Sequence, residues 1–263
     1  MKLRTNLQPF ILVALCALSA SGFLWPFFVS SYSASDKASW FFLLAAPVTV
    51  IALIYSINLN PLDSKTIAIL AVLTAVIAAF RPLGAGAIGI EPMWFILILA
   101  ARVFGPYFGF ILGATSMLLS AVLTGGIGPW LSYQVFAAAG IGVGVGVIPR
   151  RLRGRAEVLA LTIYSVIACE LFGIAMDLQF WPWSLGRGTQ LSFIPGAPLS
   201  TNIGHFFTYH FTASMAWDIP RAIFTSILIV VAAPSVLNSL RRAYVKAAFN
   251  PEVKFVKSDL TNV

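Results

Sequence analysis

Residues 105–130 read GPYFGFILGATSMLLSAVLTGGIGPW. Nothing in this stretch carries a charge, and from Pro106 to Leu123 it is apolar over close to the ~20 residues that a helix needs to cross a bilayer core. Lipid offers the backbone no hydrogen bonds, so the run must satisfy its own amides, and without the alternation of a barrel strand that means a helix. Glycine and proline bound it on both sides: Gly105-Pro106 before it, Gly125-Gly126-Ile127-Gly128-Pro129 after it.

Working outward, similar runs lie at 91–104 and 66–80 upstream, and at 131–148, 156–176 and 213–238 downstream. Two more, at 8–30 and 39–58, precede them, for about eight spans in all. The fold class expected is all-α, a polytopic transmembrane helix bundle. Composition agrees, since 59% of the 263 residues are hydrophobic and 10% are charged, against about 25% charged in soluble domains. A disordered chain needs low hydrophobicity, and a disulfide-stapled module needs more than Cys16 and Cys169, which sit in apolar runs as small hydrophobes do. The first run resembles a signal peptide up to Ser19-Ala20-Ser21, but stays apolar through Phe23 to Val29 and reads as an uncleaved span.

The net charge of +8 is topogenic rather than a nucleic-acid footprint, because the basic residues lie between the apolar runs. With the amino terminus inside, the cytoplasmic side holds Lys2, Arg4, Lys65, Arg102, the cluster Arg150, Arg151, Arg153 and Arg155, and the tail Arg241, Arg242, Lys246, Lys254 and Lys257. The other side keeps Lys37, Arg81, Arg187 and Arg221. Both termini are therefore expected in the cytoplasm of a multi-pass plasma-membrane protein.

Small residues recur every four positions at Ala71, Ala75 and Ala79, and again at Gly105, Gly109 and Gly113. Such ridges let helix backbones approach closely, within the chain or against a partner. Gly140, Gly142, Gly144 and Gly146 thin two faces of another helix at once. Ionisable residues beside apolar runs are costly and hence functional candidates: Glu91, Glu170, Asp177, Asp218 and Arg221. Asp218 and Arg221, three apart, share a helix face and neutralise each other. Glu170 has no basic residue one turn away and needs a partner from elsewhere.

After Met176 the apolar run ends, and a loop of about 36 residues is expected before 213, long enough to serve as a binding lid. It would carry Asp177, Trp181, Trp183, Asn202, His205 and His210. Trp181 and Trp183 suit either interfacial anchoring or a stacking wall for a planar ligand, and Trp130 with Gln134 faces the same aqueous layer. No ATP-binding P-loop, zinc-protease helix or hydrolase elbow occurs, and His205 and His210, five apart, match no metal-binding face. Neither a metal, a cofactor nor a catalytic residue is expected.

Arg81-Pro82-Leu83-Gly84, Arg102-Val103-Phe104-Gly105-Pro106-Tyr107-Phe108-Gly109-Phe110 and Leu123-Thr124-Gly125-Gly126-Ile127-Gly128-Pro129-Trp130 with Gln134 resemble the substrate-specific S component of energy-coupling factor (ECF) vitamin transporters. The resemblance implies a vitamin-binding subunit open to the outside, powered by a transmembrane coupling protein and two ATPase subunits, with cobalamin the leading substrate. It implies that Ala71, Ala75 and Ala79 dock on the coupling protein, and that Trp130, Gln134, Glu170, Asp177, Trp181, Trp183 and Asn202 lie near the ligand. On this view residues 63–240 are a six-helix core, 1–62 an added helix pair and 241–263 a basic cytoplasmic tail. The competing readings are a proton-coupled secondary transporter using Glu170 and Asp218 and, last, an intramembrane enzyme using Glu170 with His205 or His210.

Overall fold

The computed structural model describes residues 22–28, 63–84, 90–128, 130–185 and 188–248. The expected span over 39–58, most of that over 8–30, and Cys16 lie outside them. Seven helices are described: α1 (Ser64–Phe80), α2 (Met93–Phe104), α3 (Pro106–Thr124), α4 (Leu131–Gly144), α5 (Gly154–Ser184), α6 (Leu199–Tyr209) and α7 (Met215–Ala248). A π-helical turn, His210–Ser214, joins α6 to α7, so that Leu199–Val245 is one continuous rod and the described chain forms six helical columns. There is no strand among the described residues. Ser64–Gly84, Pro106–Thr124, Gly154–Ser184 and Leu199–Val245 are long and apolar enough to cross a membrane, whereas α2 and α4 are shorter.

Local signals start and stop these helices. Asp63 caps α1 by accepting from the Thr66 amide at 3.2 Å, and hydrogen bonding from the Thr66 side chain, with that amide, holds its exposed carboxyl below the usual range. Gly105 separates α2 from α3 with φ +98°, a conformation only glycine adopts without strain, and Pro106 takes the first position of α3, where no amide donor is needed. Short α2 is the centre of the bundle: Met93, Trp94 and Ile96 to Ala101 are all buried. It touches α1, α3, α5 and α7.

Two glycines set the crossing of α3 and α4. A Cβ on Gly142 would stand 2.1 Å from the Gly109 carbonyl oxygen, and one on Gly113 would stand 2.5 Å from that of Ala138. The ridge of Gly109 and Gly113 is thus used inside the chain. Gly144 and Gly146 likewise make room for Tyr164 and Pro106, while Gly140 faces open space. The alanine ridge behaves differently: Ala71, Ala75 and Ala79 are exposed beside Ile67 and Val72, while Leu70, Thr74, Ile77 and Ala78 turn inward.

One end of the bundle is tied by Glu157, which is 1% exposed. It accepts from Arg102 Nε at 2.7 Å and from Arg241 at 2.6 and 2.7 Å, joining α2, α5 and α7. Arg102 also donates to the carbonyls of Ile148, Pro149 and Leu152, stitching on the α4–α5 connector.

The other end departs from the sequence-based expectation. There is no 36-residue loop: α5 continues to Ser184, α6 starts at Leu199, and the connector is 185–198. Beyond Met176 polar residues enter the sequence, but Leu178 and Trp181 remain buried beside Asp177 and Gln179, so the helix persists where a lipid-type run has ended. Pro182 falls in the last turn of α5, where it removes a single helical bond. Here Trp25–Phe27, a 3₁₀ turn, packs into an aromatic cluster with Tyr133, Trp181, Phe193, Phe206 and Tyr209. Phe23 meets Tyr133 edge-on at 4.7 Å, and Phe27 lies 6.2 Å from Trp181.

If the α3–α4 contact sets the packing, Gly142→Ala will lower the thermal midpoint of the detergent-solubilised protein by the equivalent of about 1–3 kcal/mol, and Gly140→Ala will leave it unchanged.

Candidate functional site

At the end opposite Glu157, the termini of four helices converge on one cavity. Arg81, the first residue after α1, donates to Gln134 Oε1 of α4 at 2.8 Å and to Ser120 Oγ of α3 at 3.4 Å. Glu91, just before α2, accepts from the Trp94 indole and pairs with Arg221 of α7, whose Nε is 3.3 Å away. Arg221 also binds Asp218 on its own helix and lies over the Phe172 ring, 5.3 Å from its centre. Phe172 in turn sits 4.4 Å from Trp94, ring centre to ring centre. The half-open cavity has a volume of about 290 Å³, walled by Trp94, Trp130 and Phe172 and edged by Arg81, Glu91 and Gln134.

Two larger grooves, about 590 and 810 Å³, lie at the Arg241 end. The first runs between α5 and α7 and the second along α7, and both lack the aromatic walls of the smaller cavity. Aromatic walls with a few convergent polar groups are what a small-molecule site requires, and the smaller cavity has both.

The seven expected ligand residues fall in three places. Trp130 and Gln134 line the cavity. Glu170 and Asp177 gather instead around His210, whose Nε2 is 2.8 Å from Glu170 Oε1 and whose Nδ1 is 2.6 Å from Asp177 Oδ2. Trp181, fully buried, donates to the Leu191 carbonyl at 2.6 Å, and half-exposed Trp183 stacks loosely on Trp25 at 5.7 Å. Asn202 closes a reciprocal pair with Ile194, accepting from its amide at 3.0 Å and donating to its carbonyl at 2.8 Å. Trp181 and Asn202 thus hold the α5–α6 connector in place, with their polar groups already matched.

His210 is the partner that Glu170 lacked in the sequence. The segment expected as a loop is helical, and His210 is a fully buried residue at the start of the π turn. His205 bonds the Ser192 carbonyl at 2.8 Å. The neutralisation of Asp218 by Arg221 is present, with Glu91 added as a third member. Arg81, Trp94 and Phe172 were not expected in the site. The signal for Arg81 was available, since Arg81-Pro82 and Glu91-Pro92 put opposite charges at the same end of two adjacent apolar runs.

A bundle of membrane-crossing helices with an aromatic, polar-edged cavity at one end is a membrane protein built to hold a small molecule. Residues 61–242 match the family model of the ECF-type riboflavin transporter, S component, and the chain belongs to that family. It is accordingly a transport protein of the bilayer and not an enzyme, the substrate-binding component that works with an ECF module. No curated protein and no solved structure gives a significant match.

Because Asn202 is matched to backbone and Trp130 is 44% exposed, their loss should differ in kind. Asn202→Ala is expected to destabilise the solubilised protein by about 1–3 kcal/mol, whereas Trp130→Ala should leave the thermal midpoint within experimental error.

Proposed function

We propose that the protein captures riboflavin, or a vitamin of that size and flatness, from outside the cell and passes it to the coupling module. The observation that carries this reading is the cavity itself. At about 290 Å³, and open on one side, it suits a fused-ring vitamin. Trp94, Trp130 and Phe172 offer faces on which a flat heteroaromatic ring stacks. Arg81, Glu91 and Gln134 together supply donors and acceptors for the alternating carbonyl and N–H edge of such a ring. The riboflavin in the family's name supports the same choice.

The cationic residues Arg102, Arg150, Arg151, Arg153, Arg155, Arg241 and Arg242 lie at the far end, supporting a cytoplasmic location for that end and an outward-facing cavity. Both termini are then cytoplasmic. The exposed ridge of Ala71, Ala75 and Ala79 is the face we assign to the transmembrane coupling protein, because nothing within the described chain uses it. Two ATPase subunits of the module would supply the energy that a chain without a P-loop cannot.

Titration of the purified protein with riboflavin, read by quenching of flavin fluorescence, should saturate at one equivalent. Trp130→Ala and Arg81→Ala should each weaken binding at least tenfold, and cobalamin should not compete. Tight cobalamin binding with no riboflavin binding would overturn the substrate assignment.

In cells holding the whole transporter, the double variant Ala75→Leu, Ala79→Leu should abolish vitamin uptake while the purified variant still binds its ligand normally. Undiminished uptake would remove the docking assignment.

A further inference from the structure

Carboxylates outnumber cations in the polar centre shared by α5, the π turn and α7. Glu91, Glu170, Asp177 and Asp218 face Arg81, Arg221 and the single imidazole of His210, so at least one negative charge is left over inside a membrane bundle. One oxygen shows where the deficit falls. Asp218 is 2% exposed, and while its Oδ1 accepts from Arg221, its buried Oδ2 has no hydrogen-bond partner. That oxygen points toward His210, 4.0 Å from Nδ1.

We infer that Glu170, His210 and Asp218 form a site for a divalent first-row transition-metal ion. One ligand atom from each of the three lies within 4.8 Å of the other two. Asp177 does the orienting: its Oδ2, 2.6 Å from Nδ1, takes the hydrogen bond of that nitrogen and leaves Nε2 to the metal, toward which Asp218 Oδ2 must turn from the Nδ1 side. Nε2 shares a proton with Glu170 Oε1 at 2.8 Å, and a bound cation takes that proton's place. One imidazole and two carboxylates suit manganese to zinc better than soft or purely oxygen-seeking ions.

Bonds of about 2.1 Å set ligand atoms roughly 3.4 Å apart around a tetrahedral ion, so the three groups must draw in by about an ångström. Glu170 is free to do this, its side chain being 37% exposed. The backbone is shaped for the cluster as well. A Cβ on Gly173 would stand 2.0 Å from Asp218 Oδ2, so glycine alone lets the acid sit between α5 and α7. The π turn inserts an extra residue that re-aims His210 inward, a device common at functional sites. The ion clamps α5 to α7 beside the cavity, through residues that do not line it.

Tag-free, full-length protein in detergent, stripped with chelator and titrated with Co²⁺, tests the assignment. Expected are a visible d–d absorption band saturating at one equivalent, at least tenfold weaker binding in both E170Q and D218N, and a Co²⁺-dependent rise in thermal midpoint that both variants lose. E170Q is the decisive variant, since its partly exposed side chain is the least able to disturb folding. No saturable band, or wild-type Co²⁺ binding in both variants, overturns the site. Riboflavin binding by the same samples is scored separately, so failure of the metal site and failure of the vitamin reading remain distinct.

Discussion

A charge inside a bilayer has no water to solvate it, so each ionisable side chain carried into the bundle must find a partner on another helix. That constraint organises this molecule at both ends. Glu157 gathers Arg102 and Arg241 at one end and thereby joins α2, α5 and α7. Arg221 gathers Glu91 and Asp218 at the other and joins α2 to α7 again. The same two helices are pinned top and bottom, with α2, nearly all of it buried, held between the pins. The cavity opens where the second pin stands, so its walls inherit the rigidity of the clamp.

Between the two ends the described helices carry no charged side chain, and packing there rests mainly on shape. Gly109 against Gly142 and Gly113 against Ala138 bring α3 and α4 to backbone contact, which fixes where Gln134 of α4 stands relative to Ser120 of α3. Arg81 reaches both of those side chains, so the polar edge of the cavity depends on a crossing set several turns away. Small residues thus serve two purposes: glycines close the bundle inside, and alanines of α1 leave a smooth strip outside.

The helices of the core were legible in the sequence because lipid imposes a length and an apolar run that few other folds show, and the Gly105-Pro106 break lies where the sequence puts it. The helical extension beyond Met176 was not legible. Hydropathy measures affinity for lipid, and residues 177–184 and 199–212 are helical for another reason, burial of one face against aromatic neighbours. That error placed His210 in a loop, whereas it is a buried member of a helical rod, and Trp181 and Asn202, expected near the ligand, have their polar groups matched within the chain. Trp130 and Gln134 were readable because they follow directly on glycine-rich breaks that fix their height in the membrane. Arg81 joining Gln134 across 53 positions depends on how α1 and α4 lie against α3, which no local pattern encodes.

Helix α1 is common to the cavity and the alanine strip. Its last turn delivers Arg81 to the ligand edge, and its exposed face carries Ala71, Ala75 and Ala79. If, as proposed, α1 seats on the coupling protein, a change in that seating has a direct route to the Arg81 guanidinium, and a ligand that takes Arg81 away from Gln134 has the same route back to the strip. Coupling of this kind needs no long chain of side-chain adjustments, only one element with a different contact at each surface. Beside it, α2 and α7 are clamped at both ends and α3 and α4 are in backbone contact, and α1 is itself tied to α3 through Thr74 and Thr115, whose hydroxyls are 2.9 Å apart.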